Sequence, residues 1–149
     1  MDLRQRITQD LKEAMKAQDA ERLSAIRMLR AAILNLDKSG QEDTGESALF
    51  GVVRTLIKQR RESVTAFRQA GREDQANKEE REAAILESYL PKAIGSDELE
   101  KLVKDVIAEC GANNPKDMGR VMKILKDRVA GQAEMGQVSA MVKAALTAT

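Results

Sequence analysis

The sequence contains no histidine and no tryptophan, one cysteine and two prolines, and its aromatic side chains are Phe50, Phe67 and Tyr89. Without histidine the commonest general base is missing, and with it the Ser/His and Cys/His nucleophile pairs and the commonest metal ligand. A lone cysteine excludes an internal disulfide, so nothing favours an oxidising compartment. Cys110 ends an apolar helical stripe, where the helix dipole disfavours a thiolate, and it reads as a packing residue. The opening MDLRQRITQDLKEAM has charges throughout and lacks the apolar stretch of a secretory signal, and no later run reaches the roughly 18 apolar residues of a membrane span. Phosphate loops are missing too: G-R-V-M and G-Q-A-E-M-G have neither the strand before nor the lysine after. The acidic run E-E-R-E (79–82) lacks the alternating ligands of a calcium loop and reads as a solvated helix face. A cytoplasmic protein is expected, without membrane contact, catalytic residues, metal or cofactor.

What is present favours helix. Apolar residues make up 42% and charged residues 33%, far from the composition of a disordered chain, and Ala, Glu, Lys, Leu and Arg dominate. Leu3, Ile7, Leu11 and Met15 recur at helical spacing, and Asp19 is placed to cap a second helix bearing Leu23, Ile26, Leu29, Ile33 and Leu36. The polar stretch KSGQEDTGES (38–47) is a loop, followed by a long helix from about Ser47 to Ala70 with Gly71 just past its end. Its inward residues are Leu49, Val53, Leu56, Val64 and Phe67. A fourth helix from about Asp74 stops at Tyr89, ahead of Pro91.

YLPKAIGSDE (89–98) combines a proline and a glycine with a fresh helix start, which divides the chain into an N-terminal helical domain, 1–94, and a C-terminal three-helix domain, 95–149. In the second, Ser96 caps a helix with Leu99, Leu102, Val103, Val106, Ile107 and Cys110 inward, ended by Gly111. Asn114 caps the next, with Pro115 in its first turn, and that helix runs to Gly131. A last helix from about Gly136 buries Val138, Met141, Val142, Ala145 and Leu146. No segment alternates with period two, so the fold class is all-α.

The formal net charge is only +1, so an electrostatic case for nucleic acid must be local. Arg54, Lys58, Arg61, Arg68 and Arg72 fall at i, i+4, i+7, i+14 and i+18, one face of a helix opposite Leu49, Val53, Leu56 and Phe67. At 1.5 Å per residue this stripe is about 27 Å long, enough to follow several phosphates. The competing reading is that the acidic fourth helix, with Glu73, Asp74, Glu79, Glu80, Glu82 and Glu87, partly neutralises it. A shorter stripe of Lys116, Arg120 and Lys123 lies opposite Met118, Val121, Met122, Leu125 and Val129, with Lys126 and Arg128 to either side. Gly119 sits where the basic and apolar faces meet. It weakens its helix by about 0.5–1 kcal/mol relative to alanine, so either a neighbouring helix or a sugar-phosphate backbone needs the space.

KDMGRVM (116–122), Leu125, Ala130, Gly131 and MGQVSAMVKAAL (135–146) resemble the C-terminal signature of the YqeY (GatB/YqeY-domain) family. LSAIRMLRAAI (23–33), AGRED (70–74) and ESYLPKAI (87–94) resemble its N-terminal part, so the resemblance covers essentially the whole chain. It implies an all-helical, two-domain protein akin to the tail of the GatB component of the glutamine-dependent aspartyl/glutamyl-tRNA amidotransferase, a tail that helps to hold tRNA. The larger domain that transfers the amide has no counterpart here, so a carbon-nitrogen ligase label with glutamine as amido-N-donor would be inherited by similarity. Carried over by residue, the RNA-facing positions are Lys116, Gly119, Arg120, Lys123, Gly131 and Lys143. One turn departs from the family's usual G-R-A-D: here G-Q-A-E places Gln132 and Glu134 where an arginine and an aspartate are expected.

The functional expectation is a non-catalytic module binding tRNA or another structured RNA through Lys116, Gly119, Arg120, Lys123, Lys126, Arg128, Gly131 and Lys143, with the Arg54-to-Arg72 stripe secondary. The alternatives are an adaptor docking on a translation-related protein through the adaptable methionines Met118, Met122, Met135 and Met141, and an amidase. The amidase reading lacks both histidine and a Ser-Ser-Lys-type arrangement.

Overall fold

The computed structural model describes residues 1–42 and 44–147. Among them are seven α-helices and one 3-10 turn, with no strand. The chain divides into two compact units, Met1–Leu90 and Pro91–Thr149, each with its own apolar core.

In the first unit α1 (Leu3–Ala17) and α2 (Ala20–Lys38) form one hairpin, and α3 (Glu46–Gln69) and α4 (Glu73–Glu87) another. Ion pairs give the directions: Arg4 meets Asp37 while Arg22 meets Asp10, and Arg61 meets Glu87 while Arg68 meets Glu80, so both hairpins are antiparallel. Helix α1 opens on a capping box, the Asp2 side chain accepting from the Gln5 amide while the Gln5 side chain accepts from the Asp2 amide. Asp19 caps α2 as expected, its carboxylate accepting from the Arg22 amide at 3.2 Å. The turn into α4 works through Gly71: its φ of +73° lets the Arg72 amide donate back to the Phe67 carbonyl at 2.8 Å. The core joins Leu3 and Ile7 of α1, Ile26, Leu29 and Ile33 of α2, Leu49, Val53, Leu56 and Ile57 of α3, Leu86 of α4, and Tyr89 beyond it.

Two expectations for this unit are corrected. Met15 is 54% exposed and Ala14 fully buried, because residues four apart advance 40° beyond a full turn and the stripe from Leu3 has drifted by the fourth turn. The run E-E-R-E is a solvated face only in part: Glu80 and Arg81 are exposed, but Glu82 is 4% exposed, since α4 lies along α3 and brings its carboxylate to the buried Arg60.

In the second unit α5 (Ser96–Cys110), a 3-10 turn (Pro115–Asp117), α6 (Met118–Val129) and α7 (Met135–Thr147) surround Leu99, Val103, Val106, Val121, Leu125, Val129, Val138, Val142 and Leu146. Cys110 is half-buried against this core. Ile94 packs on it too, its amide donating to the Gln132 carbonyl at 2.9 Å, so residues 91–94 go with this unit. The expected Ser96 cap is corrected: extended Gly95 takes the N-cap position without a side-chain bond, and Asp97 and Glu98 place negative charge in the first turn instead. The helix expected from Asn114 to Gly131 begins as a 3-10 turn, with the Asn114 side chain accepting from the Lys116 amide at 2.9 Å. It ends earlier, at Val129, because Ala130 and Gly131 both turn left-handed, at φ 47° and 82°.

Candidate nucleic-acid interface

The shorter basic stripe lies on the solvent side of the 3-10 turn and α6. Val121, Leu125 and Val129 are completely buried, which fixes the rotation of α6 and leaves Gly119, Arg120, Lys123 and Asp127 outward. The tighter winding of the 3-10 turn rotates Lys116 by only about 40° relative to an α-helix, keeping it on the Lys123 side.

The cations of this unit divide by partner. Asp117 is consumed locally, one carboxylate oxygen accepting from the Asn113 amide at 3.1 Å and the other meeting Arg120 at 3.2 Å. Arg128 turns to α5 and grips Glu109 with two bonds of 3.0 and 2.5 Å, which holds the Glu109 carboxyl below its usual range. Lys126 is half-buried and engaged. Lys116, Lys123 and Lys143 are exposed, and among the described residues their ammonium groups meet no carboxylate. Lys143 projects from α7 rather than α6.

The two glycines have different reasons. Among the described residues, a Cβ at Gly119 would meet no atom within 4 Å beyond its chain neighbours and its own turn of helix, so no described helix needs its missing side chain, and that packing explanation is set aside. Gly131 is buried at φ 82° and completes the reversal between α6 and α7. In the variant turn that follows, Gln132 spends its carbonyl on the Ile94 amide.

The longer stripe is covered along much of its length. Arg61 is paired with Glu87, and Arg68 reaches Glu73 at 3.2 Å and Glu80 at 2.6 Å. Arg54 is half-buried and engaged. Arg72 lies beyond the Gly71 reversal, at the start of α4, so it does not continue the face of α3. Lys58 is exposed and unpaired among the described residues. As an RNA track this face is interrupted by its own carboxylates.

Sequence reasoning passed over the buried Arg60–Glu82 pair. Arg60 Nε lies 3.2 Å from Glu82 and 3.4 Å from Glu79, and one of its terminal nitrogens touches the Met28 sulfur at 2.6 Å. A signal was present: Arg60 stands three residues after Ile57 and four before Val64, and Glu82 four before Leu86, so both charges occupy core register.

A family model described as Yqey-like protein matches residues 4–146. The chain belongs to this family. Similar proteins are each named "Altered inheritance of mitochondria protein 41, mitochondrial". The one from Pyrenophora tritici-repentis is 35% identical over 129 residues, covering 83% of this chain and 71% of that protein. Those from Vanderwaltozyma polyspora and Kluyveromyces lactis are 32% and 35% identical, covering 75% and 73% of this chain and 64% and 60% of those proteins. This YqeY-family chain thus spans between 60% and 71% of the lengths of these relatives. The cytoplasmic expectation is corrected by them: the proteins to which the chain is similar are named as mitochondrial. Among the described residues no helix is long and apolar enough to cross a membrane.

Proposed function

We propose that the C-terminal unit of this YqeY-family protein binds structured RNA, with tRNA the first candidate, through phosphate contacts from Lys116 and Lys123 across the open backbone at Gly119. The observation that carries the reading is local: two lysines with no carboxylate partner among the described residues flank a glycine whose side-chain position is empty. An unpaired ammonium retains its donors for a phosphate, whereas Arg120 and Arg128 would first have to leave Asp117 and Glu109. The resemblance to the tRNA-holding tail of the amidotransferase points the same way. Contacts of this kind read backbone shape rather than bases.

The adaptor alternative draws on Met118, Met122, Met135 and Met141, all of which pack against the second core. Filter binding of tRNA over a salt series tests the proposal. The Lys116→Glu/Lys123→Glu double variant is expected to lose at least about tenfold in affinity at low salt, and the slope of log affinity against log salt to fall by about 1.4 to 1.8, since each neutralised phosphate contributes about 0.7–0.9. Equal retention by double variant and parent overturns it.

A further inference from the structure

The first unit carries an apolar groove that its own helices leave open. It lies between α1 and α2, has a volume of about 440 Å³, and is lined by Arg4, Ile7, Thr8, Ala31, Leu34 and Asp37, with Arg30 on its wall. Ile7 belongs to the core and forms the floor, while Leu34 stands 51% exposed at the rim. An aliphatic residue of that size, exposed beside a concave apolar surface, is a mark of a docking surface.

The charges around the groove that have no ion-pair partner among the described residues share one sign. Its carboxylate, Asp37, is spent on Arg4 at 2.8 Å. Arg30, then Arg27 one turn earlier on α2, and Lys12 two turns past Arg4 on α1 are exposed, and none meets a carboxylate among the described residues. Elsewhere in the same unit Arg22, Arg60, Arg61, Arg68 and Arg81 are each paired with an acidic residue. Beside the exposed leucine, by contrast, the Arg27 and Arg30 guanidinium groups stand without a carboxylate among the described residues.

We propose that this groove docks an acidic amphipathic helix of a partner protein. The apolar stripe of that helix lies on Ile7, Ala31 and Leu34, and its flanking Asp and Glu side chains meet Arg30, Arg27 and Lys12. Protein fits the lining better than nucleic acid does: Ile7, Ala31, Ile33 and Leu34 give it an aliphatic strip, and no aromatic ring among the lining residues offers a base a stacking surface. The surface belongs to the first unit and stands independently of the RNA reading.

The test uses the full chain and a fluorescent synthetic helix of about 18 residues, with leucines at i, i+3, i+4 and i+7 and glutamates flanking them. Anisotropy is expected to show saturable binding that weakens at least about tenfold in Leu34→Glu and in Arg30→Glu and is unchanged in Lys78→Glu, an exposed position of α4 outside the groove lining. The amides of Thr8, Ala31 and Leu34 are expected to shift on titration of the parent protein, a reading that holds even if one variant folds poorly. Retained binding in both groove variants overturns the proposal, as does equal binding of a peptide with lysines for the glutamates. So does loss of tRNA binding or of self-association, rather than of peptide binding, in the groove variants.

Discussion

A methyl group at position 119 would meet empty space, so Gly119→Ala should recover helix propensity at no steric cost. The expected gain is about 0.5–1 kcal/mol, a rise in melting temperature of about 2–3 °C, together with weaker tRNA retention if a sugar-phosphate backbone passes over this turn. Calorimetry and filter binding on one preparation check both, and a stability gain with unaltered retention removes Gly119 from the interface. Spacing in the sequence was enough to place Lys116, Gly119 and Lys123 on one side of a helix. It could not say which cations had partners, because Glu109 lies nineteen residues before Arg128 and meets it only once α5 and α6 pack. Nor could it distinguish Gly119, open to solvent, from Gly131, buried in a left-handed turn.

Between elements, the buried contact of α3 with α4 is the place where charge matters to stability. Arg60 and Glu82 are 6% and 4% exposed, and removing Arg60 strands the Glu82 charge in the core, whereas Arg60 without Glu82 keeps Glu79 at 3.4 Å. Arg60→Met is expected to cost about 3–5 kcal/mol, Glu82→Leu less because Glu79 still faces Arg60, and the double change Arg60→Met/Glu82→Leu less than Arg60→Met alone, because an apolar pair leaves no lone Glu82 charge. Urea unfolding of the two single variants and the double variant checks this, and a double loss equal to the sum of the single losses would show that the two side chains do not act as a pair. The exposed pairs Arg81–Glu21 and Arg4–Asp37 are screened by water and matter less. Helix existence and order were legible throughout, since each apolar stripe and several end signals are local. Met15 and Ser96 were misread for local reasons, a stripe that drifts along its own helix and a neighbouring glycine that takes the N-cap position, whereas Glu82 was misread because its partner, Arg60, lies on another helix.

At the scale of the whole molecule, alkaline pH probes how the first unit is held together. Tyr89 is buried, its hydroxyl donates to Asp10 at 2.6 Å, and the Arg6 guanidinium lies 4.8 Å from the centre of its ring. Burial first, and then the hydrogen bond to Asp10, push the phenol above its ordinary value of 10.0. The folded chain therefore keeps this proton over a range where the unfolded chain has released it, so the contribution is intact below about pH 10 and is lost as pH rises beyond it. Unfolding free energies measured between about pH 8 and pH 11 should fall more steeply for the parent than for Tyr89→Phe, and parallel curves would remove Tyr89 from the effect. The sequence by itself determined the all-helical class, the order of the helices and the family, because periodicity, caps and ordered motifs are properties of neighbouring residues. Only the tertiary structure decided which charges are spent and which are available. The carboxylates that cover Arg61, Arg68 and Arg128, and the groove that leaves Arg30 beside an exposed Leu34, come from residues far apart in the chain, and Coulomb attraction and burial act on distance in space.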